Sequence, residues 1–147
     1  MTRFRRALAP LAFVGVLALA ACSPLLPQRG AASAVPGAIE EDVTGVVEAD
    51  AGTSMSGFNY HLNVWVVLDR AEITADELRS ILAAAVDHAT GDYSYLYVYA
   101  DSLIEGVEAP LDASAALTTL APDIDEDATD GDISLPWTDV LEILENS

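Results

Sequence analysis

Apolar and polar residues alternate along residues 58 to 68. Tyr60, Leu62, Val64, Val66 and Leu68 fall on one side, and Asn59, His61, Asn63, Trp65 and Val67 on the other. A period of two predicts a half-buried strand. Residues 93 to 100 repeat the pattern, with Leu96, Val98 and Ala100 pointing one way and Tyr93, Tyr95, Tyr97 and Tyr99 the other. Between these segments the period changes. Leu78, Ile81, Leu82, Ala85 and Val86 recur at i, i+3, i+4, i+7 and i+8, the apolar stripe of an amphipathic helix. Thr74 and Glu77 have the spacing of a capping box at its start. Gly91 is placed to end it, and His88 lies near its C-terminus, where an imidazolium would complement the helix dipole.

Weaker patterns complete the expectation. Residues 43 to 49 form a strand candidate, and residues 50 to 57, rich in Gly, Ser and Thr, predict a hairpin loop. Residues 112 to 120 predict a short helix with Leu117 and Leu120 inward. Residues 133 to 135 predict a short strand before Pro136, and Thr138 is placed to cap a terminal helix. The order is β-β-α-β, then α-β-α. A strand–helix–strand connection predicts parallel pairing, while the hairpin before it is antiparallel. The expected fold is α+β: a small two-layer sandwich, a mixed sheet with helices on one face.

The N-terminal segment follows another logic. Arg3, Arg5 and Arg6 precede an apolar run from Ala7 to Ala21, interrupted only by Pro10 and Gly15. As a helix this run spans about 22 Å, short of the ~30 Å hydrocarbon core of a bilayer. It has the length and basic flank of a secretory signal. It ends Leu19-Ala20-Ala21-Cys22. This resembles the lipobox of bacterial lipoprotein signal peptides. The resemblance covers residues 1 to 22 and implies cleavage before Cys22, lipidation of its thiol, and anchoring at the extracytoplasmic face of the cell membrane. Two acyl chains, each methylene contributing ~0.8 kcal/mol on burial, hold where one would not. The flanks of Arg5-Arg6 fit a twin-arginine signal poorly, so general secretion is the expected route. Residues 22 to 38, rich in Pro, Gly, Ala and Ser, predict a lipidated, flexible tether reaching roughly 20–25 Å. Residues 39 to 147 are expected to form one domain.

Composition narrows the chemistry. The chain has 24 acidic residues and six arginines and no lysine. Loss of the signal leaves three arginines against the same 24 acids, a formal charge of −21. Such a surface repels nucleic acid and anionic head groups. Without lysine there is no P-loop, Schiff base or Ser-x-x-Lys site. Cys22 is the only cysteine, so its lipidation leaves no thiol nucleophile, disulfide or thiolate metal site. No Gly-x-Ser-x-Gly elbow, His-Glu-x-x-His or Gly-x-Gly-x-x-Gly occurs. The expectation is a non-enzymatic protein without a resident cofactor. In general style the mature domain resembles the small lipoproteins of actinobacteria, a likeness that carries no function.

Two features remain. Residues 123 to 132 place Asp123, Asp125, Asp127, Asp130 and Asp132 in one acidic stretch, donors that a hard cation such as calcium would accept. The match to an EF-hand loop is poor, because Ala128 stands where Gly is needed and Ser134 where a bidentate Glu is needed. A weak calcium site, in an acidic surface or structural protein, is the secondary expectation. The other feature is the non-core sheet face, where His61 and Trp65 are expected to join Tyr93, Tyr95, Tyr97 and Tyr99. Rigid aromatic area with polar tips suits a protein interface or a sugar-stacking platform. The leading expectation is a lipid-anchored envelope protein that binds a protein or a glycan through this face.

Overall fold

The computed structural model describes residues 32–124 and 132–146. Its elements run α1 (Val35–Asp42), β1 (Val46–Ser56), β2 (Asn59–Leu68), α2 (Ala75–His88), β3 (Tyr95–Ile104), β4 (Val107–Pro110), α3 (Ser114–Leu120), β5 (Asp132–Pro136) and α4 (Trp137–Asn146). The fold is α+β, with a five-stranded mixed sheet as one layer and the helices as the other. The signal, the lipobox and Cys22 lie outside the described residues. Among those described, no helix is long and apolar enough to cross a membrane.

Leu62, Val64, Val66 and Leu68 of β2 and Leu96, Val98 and Ala100 of β3 are all buried, as their alternation predicts. They face Leu78, Ile81, Leu82 and Ala85 of α2, which are buried too. Each fully buried aliphatic side chain contributes roughly 1.5–3 kcal/mol, and all of these belong to one core cluster that also takes in Ile39, Leu135 and Val140. The α2 crossover joins β2 to β3 in parallel, with Leu62 opposite Leu96 and Val64 opposite Val98. The capping box forms as its spacing predicts: Thr74 Oγ1 accepts the Glu77 N–H, and Glu77 Oε2 accepts the Thr74 N–H.

Several boundaries differ from the sequence expectation. Residues 50 to 56 are not a hairpin loop but the second half of β1, paired antiparallel with β2 as far as Ser56 opposite Asn59. The turn is confined to Gly57 and Phe58, where Gly57 has φ 63°, the geometry a two-residue hairpin asks of its first residue. The domain also begins earlier than Ile39. Val35, Ile39 and Val43, four residues apart, are buried on one side of α1, and Ala32 is buried before it. Pro36, which reads as tether, sits in the first turn of α1, where its missing N–H costs nothing.

At the other edge of β3 two strands share one side. β4 pairs with its C-terminal half and β5 with its N-terminal half, both antiparallel. β4 escapes the sequence pattern because it is short and ends in Pro110, tolerable only on an edge. Gly91 does not cap α2, which ends at His88 with Ala89 extended. Its φ of 150° lets the backbone pass beneath the ring of Tyr93, 3.2 Å from where a Cβ would stand. Thr138 does not cap α4 either: the helix begins at Trp137, and Thr138 Oγ1 bonds Asp139. His88 does occupy the last turn of α2.

Candidate functional site

The sheet has one face on the helices and one face outward. Strand register places the outward residues in rungs that cross the sheet. One rung is Asp50, Trp65, Tyr99 and Asp132, on β1, β2, β3 and β5 in turn. The next, toward the hairpin tip, is Gly52, Asn63, Tyr97 and Ser134. The last is Ser54, His61, Tyr95 and Pro136. On the other side of the first rung lie Glu48, Val67 and Asp101. Side chains directly opposite on paired strands stand about 5 Å apart at Cβ, so the residues of a rung are neighbours.

The aromatic residues meet as rings. Trp65 and Tyr99 lie 5.2 Å apart between centroids and 11° from parallel, an offset stack. His61 packs on Tyr95 edge-on at 5.7 Å and on Tyr97 at 5.3 Å. Along β3, Tyr95, Tyr97 and Tyr99 follow at 6.3 and 6.5 Å. The result is a continuous aromatic floor of five rings on the two central strands. It stays open to solvent: Trp65 is 40% exposed and Tyr95 37%.

Tyr93 is not part of that floor. It precedes β3, packs against the core and meets the ring of Trp137 at 5.2 Å, while its hydroxyl donates to the Thr90 carbonyl. Alternation carries no mark of where a strand begins, and the apolar partner at Trp137 draws this one tyrosine aside. Burial raises its phenol pKa above the ordinary range.

Polar groups lock the floor in place. Asn63, 8% exposed beneath the rings, donates from Nδ2 to Ser54 Oγ at 2.9 Å and reaches the Gly52 carbonyl at 3.5 Å. This ties the floor to β1. Trp65 lies close over Gly52: a Cβ there would meet the Trp65 Cζ3 at 3.6 Å, ordinary van der Waals contact. Asp50, Gly52, Ser54 and Asn63 were not among the expected site residues. The first three fall in the segment that reads as a loop, where the faint alternation of Ala49, Ala51 and Thr53 with Asp50, Gly52 and Ser54 was the available signal.

The electrostatics are lopsided. Glu48, Asp50, Asp101 and Asp132 surround the Trp65–Tyr99 pair, whereas the His61 end carries Ser54 and Pro136. Burial, then the negative charges of Asp132 and Tyr97, push the Tyr99 phenol above its ordinary pKa. Of the expected calcium ligands, Asp123 and Asp132 are exposed, and Asp125, Asp127 and Asp130 lie outside the described residues. Among the described residues no group of three or more histidines, cysteines or acids is placed to hold a metal. No protein-family model, curated protein or solved structure matches the chain.

Proposed function

We propose that this protein is exported, cut before Cys22 and held by lipid on Cys22 at the extracytoplasmic face of the cell membrane. There its α+β domain captures a protein or a glycan through the outer face of the sheet and performs no chemistry of its own. The observation that carries this reading is the aromatic floor: Trp65 and Tyr95 stand exposed beside His61, Tyr97 and Tyr99 on strands backed by the core. Exposed aromatics gathered on a rigid support mark interaction surfaces, because large contact area comes at small entropic cost. The lipobox resemblance at Leu19-Ala20-Ala21-Cys22 supports the location, and the formal charge argues against nucleic acid as a partner.

The test is crosslinking in intact envelopes. The full chain should yield a discrete crosslinked species that is lost in the Trp65→Ala/Tyr95→Ala double variant. Circular dichroism and the thermal midpoint should show that the variant remains folded. A crosslinking pattern unchanged by the two substitutions, together with unchanged retention of the chain on immobilised envelope glycans, would refute the surface.

A further inference from the structure

The two ends of the aromatic floor differ, and the difference bears on what it binds. The Trp65–Tyr99 pair is flanked in its own rung by Asp50 on β1 and Asp132 on β5. One step along, Glu48 and Asp101 stand on either side of Val67. Four carboxylates thus border one stacked indole–phenol pair, and no basic side chain occupies these two rungs. Arg70 is held elsewhere, by Thr44, Asp69 and Glu77.

Trp65 has one ring face against Tyr99. Its other side looks toward β1, where Gly52 contributes no side chain and Asp50 stands directly opposite. An indole 40% exposed next to a carboxylate is a place for a planar cation. The ring attracts it through the quadrupole, the carboxylate accepts its N–H groups, and Gly52 puts no side chain of its own between them. One oxygen of Asp50 accepts the Ala51 N–H at 2.9 Å. A carboxylate offers several acceptor sites, so Asp50 can still receive a guanidinium. Arginine suits the geometry better than lysine, since its flat, weakly hydrated fork both stacks and pairs.

From this geometry we infer that the partner is a basic protein segment, and that an arginine side chain from it docks against the exposed indole of Trp65 beside Asp50, within the acidic border. This deepens the proposed function and rests on the outer face being a binding surface. A neutral glycan would stack on the rings and donate hydroxyls to individual carboxylates, but it brings no charge to offset the four of Glu48, Asp50, Asp101 and Asp132.

The test uses the full chain purified in detergent and three probes: a tetra-arginine peptide, its citrulline counterpart, and a neutral oligosaccharide of N-acetylhexosamines. Binding is read by isothermal calorimetry. The arginine peptide should bind and the citrulline peptide should not. Asp50→Asn/Asp132→Asn should weaken binding about tenfold or more. Gly52→Val should do the same with no change of charge, by placing a side chain between the indole and Asp50. Glu142→Gln/Glu145→Gln, which removes two exposed carboxylates from α4, should leave binding unchanged. Equal losses in the α4 variant and the Asp50/Asp132 variant would reduce the effect to net charge and overturn the inference, as would binding indifferent to Gly52→Val. Failure of the wild-type chain to bind the arginine peptide would overturn it outright. Oligosaccharide binding that needs Trp65 but not Asp50 would also overturn it, while leaving the surface itself standing. Loss of the surface would instead appear as crosslinking and oligosaccharide binding both indifferent to Trp65→Ala/Tyr95→Ala.

Discussion

Arg70 donates from Nη1 to the backbone carbonyl of Thr44 at 2.7 Å, across 26 positions of chain. Its Nη2 pairs with Glu77, the same residue that closes the capping box of α2. One guanidinium therefore joins the approach to β1 to the start of the crossover helix. Both side chains are partly buried, which spares the pair from full solvent screening. Arg70→Ala should cost about 1 kcal/mol, because it removes the bond to the Thr44 carbonyl, which water replaces, and the counter-charge of the partly buried Glu77. Arg70→Lys should recover less than half of that, since one ammonium cannot span both acceptors in the same way. Urea denaturation measures both, and wild-type stability in Arg70→Ala would disprove the clamp.

Gly45 lies directly beneath that arginine. Its φ is 76°, and a Cβ there would collide with the Asp69 carboxylate and the Arg70 guanidinium. Gly57 has a similar φ of 63° but nothing near where its Cβ would stand. Gly45→Ala should therefore cost about 2–3 kcal/mol, from backbone strain plus the displaced ion pair, and Gly57→Ala only about 1 kcal/mol from strain alone. Thermal midpoints of the two variants decide the matter. Equal shifts would mean that the crowding at Gly45 relaxes freely.

Tyr99 carries a pH dependence of known sign. Its folded pKa is raised, so the native state holds the phenolic proton more tightly than the unfolded chain does. The corresponding stability is complete below about pH 10 and is lost as the pH rises through the folded value. Asp132→Asn removes one cause and leaves the largest, burial, in place. The tyrosinate absorbance assigned to Tyr99, by difference from Tyr99→Phe, should therefore appear at lower pH in Asp132→Asn but still above the ordinary range. An unmoved titration would mean that Asp132 does not act on this ring.

Anchoring is tested by mass. The membrane fraction should contain a species equal to residues 22 to 147 plus a diacylglyceryl group, and Cys22→Ser should abolish it. Full-length protein, or a soluble form without lipid in the wild type, would remove the basis for an extracytoplasmic location.

Large side chains made part of this molecule legible in its sequence. Leu62 to Leu68 and Leu96 to Ala100 alternate too regularly to be anything but half-buried strands, and the stripe from Leu78 to Ala85 fits only a helix. Where side chains are small the pattern fades. Ala49, Ala51 and Thr53 line the inner side of β1, but alanine buries too little area to betray a face. Pro36 and Gly37 disguised α1 as a linker, although its buried positions, Val35, Ile39 and Val43, keep helical spacing. Period two also names a face without naming a neighbour. That Trp65 belongs with Tyr97's side of the sheet is readable, but its stack on Tyr99 and its place beside Asp50 depend on two strand registers set by the assembled core. The border of carboxylates was hidden for the same reason, scattered over β1, β3 and β5.

Those registers also govern when the surface exists. Trp65 and Tyr99 sit on strands joined by the α2 crossover and paired in parallel, a contact that no local hairpin can form in advance. A chain threaded through a membrane in extended form would carry every residue of the floor and none of its recognition. On the proposed export route the surface would form only after passage and could capture nothing on the side where the chain was made.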